Sequence, residues 1–283
     1  METLTASVLL GDLVFPEGPR WHGGKLWLSD VFAGRVMTVD LSGRTEVVAS
    51  VPERPSGLGF LPDGRPLIVS MRDRALLRLD PDGLHVVAEL GGLAGGDLND
   101  MVVDSRGRAY IGNFGFDLFG GAEPVPAGIV LVTADGRARA VAENLEFPNG
   151  SVISPDGGTL IVAESLGHRL TAFDIAADGS LFGRRLFADL GDRTPDGICL
   201  DAQGAVWAAC FSTDEFLRVA PGGKVLQRVA TSGKRAVACV LGGEDRRTLF
   251  LLTADTTIEG LARGKSRGWV ETVRVEVAGA GIP

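Results

Sequence analysis

The sequence predicts an all-β fold, a six-bladed β-propeller with four-stranded blades. Three observations carry this: a hairpin pattern that recurs six times, a recurrence interval of blade length, and turn residues at the hairpin tips. Each recurrence is a short apolar segment, a Gly- or Asp-containing turn and a second apolar segment. The first runs Gly18–Trp21, turn 22–25, Leu26–Ser29; the second runs Gly57–Phe60, turn 62–65, Leu67–Ser70. The third and fourth are Met101–Asp104 with Ala109–Gly112 and Ser151–Ser154 with Thr159–Val162. The fifth is Gly197–Leu200 with Val206–Ala209, and a weaker sixth is Ala238–Leu241 with Thr248–Leu251.

Aligned on their first strands, the repeats begin at Glu17, Ser56, Asn99, Asn149, Asp196 and Val237, at intervals of 39, 43, 50, 47 and 41 residues. Propeller blades repeat every ~40–50 residues. Most repeats continue into two further strand-like stretches, such as Arg35–Val39 and Thr45–Ala49, which completes four strands per blade. The last blade has a third strand in Trp269–Val275 but no fourth. Ala6–Leu10, ahead of the first repeat, resembles the outer strands Val86–Leu90 and Ala140–Glu143. The expectation is that it pairs with Trp269–Val275, closing the ring and removing an exposed edge. Residues 1–283 then form a single propeller domain.

Composition narrows the function. Net charge is −8 with no basic run, against the cationic surface that a nucleic-acid partner wants. Glycine reaches 40 of 283 without a collagen period, which fits many tight turns. The cysteines Cys199, Cys210 and Cys239 follow no zinc or CxxC spacing and sit in apolar stretches. The N-terminus lacks a basic and apolar leader, and no apolar run approaches the ~18 residues that span a membrane. The expectation is a cytoplasmic protein with no membrane or nucleic-acid partner.

The first strand of each propeller blade lines the central channel, so equivalent repeat positions lie at one height around one axis. Four of those six positions carry Glu17, Asn99, Asn149 and Asp196, which makes a convergent cluster of oxygen donors. Asn and Asp also favour local turns. The hairpin turns Pro62-Asp63-Gly64 and Pro155-Asp156-Gly157 serve as a control, because Pro195-Asp196-Gly197 sits elsewhere, in register with Glu17-Gly18 and Asn149-Gly150. Hard oxygens without His or Cys favour Ca²⁺, with Mg²⁺, Mn²⁺ or Zn²⁺ as alternatives. Two carboxylates neutralise a dication, and four protein donors leave coordination positions open to water and substrate.

Phe15-Pro16-Glu17-Gly18-Pro19-Arg20-Trp21, Leu98-Asn99-Asp100, Phe147-Pro148-Asn149-Gly150 and Pro195-Asp196-Gly197 together resemble the gluconolactonase/regucalcin, or senescence-marker-protein, family. The resemblance runs over nearly the whole chain. It implies that Glu17, Asn149 and Asp196 bind a divalent metal and that Asp196 is proton acceptor and donor. It implies that Asn99 contacts substrate or metal-bound water; in the related diisopropyl-fluorophosphatase propellers the matching residue is a metal ligand. Asp97 stands where sugar-lactonase members carry a substrate-gripping Arg, so the resemblance carries the reaction class further than the substrate.

Lactone opening needs a polarised carbonyl and an activated water, and the expectation assigns the proton transfers to Asp196. Strand alternation places the ends of the second strands on the same face as the cluster. Predicted walls are therefore Asp30, Met71-Arg72, Asn113-Phe114, Glu164-Ser165 and Phe211; His168, near the same loops, reads first as a structural or solvated residue and second as a substrate contact. Phe114–Gly121, with aromatics flanked by glycines, reads either as a lid or as a packed surface loop. The matching loop of the last blade, Asp255-Thr256-Thr257, reads as polar and without a glycine hinge. His22 and His85 fall away from the cluster, and no Gly-x-Ser-x-Gly elbow is present. The expected function is a metal-dependent lactonase acting on a small lactone or ester. A phosphotriesterase or aryl-esterase-like hydrolase at the same metal, or a non-catalytic binding propeller, are the alternatives.

Overall fold

The computed structural model describes residues 2–281. The strands form six sheets, one per predicted repeat, each running outward from the channel in sequence order apart from the N-terminal strands added to the fifth and sixth. The innermost strands are Pro16–His22, Pro55–Phe60, Leu98–Val103, Pro148–Ile153, Pro195–Leu200 and Arg235–Gly242. Apolar side chains from facing sheets fill the gaps between neighbouring blades. Leu26, Leu28 and Met37 of the first blade pack with Val240, Phe250 and Leu252 of the sixth. Val102, Tyr110 and Ile129 pack with Leu160 and Val162 in the same way between the third and fourth.

The ring closes as expected. Ser7–Leu13 pairs antiparallel with Arg267–Arg274 as the fourth strand of the last blade, with Ser7 opposite Thr272 and Leu10 opposite Val270. One element was not foreseen. Glu2–Leu4 adds in parallel to the outer strand Val225–Ala230 of the fifth blade, making that sheet five-stranded. The C-terminal segment crosses below the same blade, where Ala202 N donates to Ala278 O and Ala280 N to Leu200 O. No helix among the described residues is long and apolar enough to cross a membrane.

Every inner strand carries one extra residue relative to its partner, at the same place in each blade. Glu17 faces Ser29 while Arg20 faces Trp27. Leu98 faces Asn113 while Met101 faces Ile111, and Pro148 faces Glu164 while Ser151 faces Val162. The second and fifth blades repeat this three-against-two step, and the sixth has a two-against-one step around Val237. Such a bulge interrupts the ladder, bends the strand and re-aims a side chain. Here it falls at the residues singled out by the repeat alignment. Neighbouring inner strands also approach closely beside the bulges: a Cβ on Gly150 would lie 2.6 Å from Asp196 O and from Ile198 N. Only glycine fits there.

Candidate metal centre and its cavity

Glu17, Ser56, Asn99, Asn149 and Asp196 line one cavity of about 380 Å³ at the channel mouth. All five are buried. Burial raises the Glu17 carboxyl well above the usual glutamate range, and the negative charges of Asp196 and Asp100 raise it further. A 2.7 Å hydrogen bond from Gly18 N to Glu17 Oε2 and the charge of Arg20 oppose this only in part. Burial pushes the Asp196 carboxyl up to about 8, with the Asn149 amide lowering it and Asp100 adding to the rise.

Asn149 donates from Nδ2 to Ser165 Oγ at 3.2 Å, and Ser165 Oγ donates to Pro195 O at 2.6 Å. Asn149 Oδ1 is buried and has no hydrogen-bond donor. An unpartnered buried carbonyl oxygen is costly and calls for an explanation. Asn99 Nδ2 is spent on Pro148 O at 3.3 Å, which leaves its carbonyl oxygen as the group to offer. Two buried carboxyls with raised pKa values, beside an orphaned amide oxygen and with no thiol or imidazole among the lining residues, suit a hard divalent cation.

A sequence model described as the SMP-30/gluconolactonase/LRE-like region matches residues 15–255. The chain belongs to this family. It is 28% identical over 280 residues to a 6-deoxy-6-sulfogluconolactonase of Pseudomonas putida, covering 95% of this chain and 94% of that protein. It is 30% identical over 205 residues to regucalcin of Danio rerio, covering 71% and 69% of the two chains. Among solved structures it resembles a calcium-binding protein, regucalcin, from Agrobacterium tumefaciens, with TM-score 0.82, 24% identity, and 100% and 98% coverage. A gluconolactonase from Xanthomonas campestris superimposes with TM-score 0.76 at 25% identity, over 94% and 89% of the chains.

In this SMP-30/gluconolactonase-like chain, the predicted walls divide into two groups. Met71, Phe114, Ser165 and Phe211 line the cavity. Asp30, Arg72, Asp97, Asn113, Glu164 and His168 do not. Asp30 is fully buried, accepting from Val14 N and Phe15 N and pairing with Arg35 at 2.8 Å. Glu164 is likewise buried, between Arg169 at 2.8 Å and Arg184 at 3.1 Å. Asn113 bridges Gly128 O and Gly115 N, each at 3.0 Å, fixing the start of the following loop. His168 Nδ1 lies 2.9 Å from Arg193 O. Arg72 and Asp97 belong to a neighbouring polar basin with Arg54 and Arg74, and Arg72 pairs there with Glu53 at 3.3 Å.

The loop of the last blade differs from its expected polar character. It extends beyond Thr257 into a short helix, Ile258–Ala262, and contributes Ile258 and Leu261 to the cavity; it also contains Gly260 and Gly264. Thr257 caps that helix by accepting from Gly260 N. Phe15 and Phe147 were also missed as wall residues. The signal was present in the sequence, because each stands two positions before a candidate ligand, Glu17 or Asn149. Phe147 has a positive φ of 62°, and its ring stacks on Phe114 at 4.6 Å. Asp100 and Arg20 form a buried pair at 2.8 Å beneath the floor, and Asp100 sets part of the field felt by both carboxyls above.

One further group of acidic and imidazole side chains lies close together among the described residues: Asp80, Asp82 and His85. It is on the outer strands of the second blade, Asp80 is taken up by Arg65 and Arg78, and none of the three lines the cavity.

Proposed function

We propose that this protein is a divalent-metal-dependent hydrolase that opens a lactone. The observation that carries the reading is Asn149 Oδ1, a buried oxygen without a donor in the cavity that also receives the Glu17 and Asp196 carboxyls. Glu17, Asn149 and Asp196 would hold the ion, with Asn99 as a fourth donor or as a hydrogen-bonding partner for the substrate. Ca²⁺ best suits this all-oxygen set. When bound, the dication supplies Lewis-acid polarisation of the lactone carbonyl and keeps both carboxyls ionised.

The chain's own groups do the rest. Asp196 Oδ accepts a proton as a water oxygen attacks the carbonyl carbon, then returns it to the ring oxygen as the C–O bond breaks. Proton count is conserved, and the product is a hydroxy acid. Ser165 keeps the Asn149 carbonyl oxygen turned toward the cavity. The rings of Phe114, Phe119 and Phe147 exclude bulk water, which strengthens the electrostatic contacts at the floor. The sulfogluconolactonase relative and the gluconolactonase structure support the reaction class. The thiols of Cys199 and Cys239, free at 3.8 Å, suit the reducing cytoplasm that we propose as its compartment.

The test is acid release from lactones, aryl esters and phosphotriesters after chelation, with Ca²⁺, Mg²⁺, Mn²⁺ or Zn²⁺ restored singly. Lactone hydrolysis that depends on a restored ion is expected. Turnover undiminished by chelation, or absent with all four ions, would sink the proposal.

A further inference from the structure

Above the oxygen-bearing floor, the cavity is apolar. Its walls are formed by the rings of Phe32, Phe114, Phe119, Phe147 and Phe211 and by Leu261, drawn from loops of five blades. Edge-to-face contacts join Phe32 to Phe119 at 5.7 Å and Phe119 to Phe114 at 6.2 Å, and Phe114 stacks on Phe147. Hydroxyl, amide and carboxyl groups reach the cavity from the inner strands, from Thr194 immediately before one of them, and from Ser165. Ser165 already bonds Asn149 and Pro195 O.

The charged groups nearby are walled off. Phe119 lines both this cavity and the basin of Arg54, Arg72, Arg74 and Asp97. The Arg54 guanidinium lies 4.5 Å from the Phe32 ring centroid and 4.9 Å from that of Phe119, holding the two rings together. A ligand seated among the phenylalanines therefore meets ring carbons, and the described residues that line the cavity above its floor carry no polar side chain for hydroxyls projecting upward.

We infer that the substrate is a lactone whose non-reacting part is apolar, an alkyl chain or an aryl ring, and not a polyhydroxylated sugar lactone. This rests on the hydrolytic reading above and names the substrate class for it. The lactone ester faces the oxygen floor, where polar groups are concentrated, and the chain or ring enters the phenylalanine enclosure. At ~30 Å³ per non-hydrogen atom, the volume of a water in the liquid, the cavity of about 380 Å³ holds roughly a dozen atoms. A sugar lactone of that size brings several hydroxyls, and those that project above the floor lose their water hydrogen bonds with no polar side chain to replace them.

Three lactones of about twelve non-hydrogen atoms each separate polarity from size: δ-decalactone, γ-phenyl-γ-butyrolactone and D-glucono-1,5-lactone. With the ion-loaded protein, kcat/KM for the first two should exceed that for the third by at least ~10²-fold. Phe119→Ala, which opens the cavity toward Arg54 and Asp97, should narrow that ratio by roughly tenfold. Equal or faster turnover of the sugar lactone overturns the inference and leaves lactone hydrolysis standing. Calorimetry with 2-hexylcyclohexanone and myo-inositol, neither of which carries an ester, reads the occupant without turnover. Ketone binding without hydrolysis of any lactone retains the apolar occupant and removes the hydrolytic reading. Inositol binding as tightly as the ketone, or a ketone that does not bind, overturns the inference.

Discussion

Ser165 orients Asn149. Its hydroxyl accepts from Asn149 Nδ2 at 3.2 Å and donates to Pro195 O at 2.6 Å, tying the proposed ligand of the fourth blade to the strand that carries Asp196. Partners behind a metal ligand hold its geometry, and their loss typically costs 10–100-fold in metal affinity. Ser165→Ala should therefore weaken Ca²⁺ binding, measured by calorimetry, by at least about tenfold. The melting temperature of the chelated variant should fall little, since the bonds removed contribute about 1 kcal/mol each.

The two carboxyls should respond oppositely to chelation and to metal. In the chelated protein burial and neighbouring negative charge raise both carboxyls above their ordinary values, which costs stability at neutral pH, so Glu17→Gln and Asp196→Asn remove an unfavourable contribution. Both variants should melt no lower than wild type in a chelator at neutral pH. Both should lose most of the gain that millimolar Ca²⁺ gives wild type, and Asp196→Asn should also reduce turnover by at least ~10²-fold. Thermal denaturation with and without the ion checks the first two outcomes.

Glu164 makes stability sensitive to acid. Burial raises its carboxyl, but hydrogen bonds from Arg169, Thr171 and Glu146 N and the charge of Arg169 outweigh this, leaving it below the usual glutamate value of 4.5. A depressed carboxyl stabilises the fold above its unfolded pKa and loses that contribution as pH falls through the folded value. Wild type should lose stability as pH drops below about 4.5. Glu164→Gln should be less stable at pH 7, by about 2 kcal/mol given the partial exposure of both arginines, and should flatten that acid limb. Urea titrations from pH 7 to pH 3 would show whether the two curves converge.

Gly150→Ala probes the inter-blade approach. The added methyl group would sit 2.6 Å from Asp196 O and Ile198 N, both backbone atoms with little freedom to move. We expect destabilisation by at least about 2 kcal/mol and a loss of Ca²⁺ affinity, because the strands carrying Asn149 and Asp196 must separate. Unchanged affinity in the folded variant would show that the spacing of these strands does not set the site.

The repeat phase, the blade number, the ring closure and the height of the oxygen cluster were all legible in the sequence, because hydrophobic alternation and turn residues report strand boundaries directly. The azimuth of a side chain at a strand end was not. Asp30 and Glu164 end their strands at the expected height, yet turn away from the cavity toward arginines of their own blades. His168, at φ 52°, turns toward the backbone of Arg193. Bulges and positive-φ residues decide these directions, and neither leaves a compositional trace outside glycine. Asp97 and Arg72 lie one ring away from the cavity, a separation created by Phe119 folding back from the long loop. The apolar ceiling was partly hidden because Ile258 and Leu261 lie just past the threonines that read as a polar rim.

The strand Ser7–Leu13 completes the sixth blade, and that blade stands between the two that carry Glu17 and Asp196. Val237, at the equivalent position, supplies no oxygen. The two carboxyls thus face each other across the blade in which an N-terminal strand closes the ring. An ion held by both carboxyls, as proposed, would act as a clasp on that seam. Spontaneous opening should start there, so the lifetime of the closed ring, as distinct from its equilibrium stability, becomes a property governed by the ion.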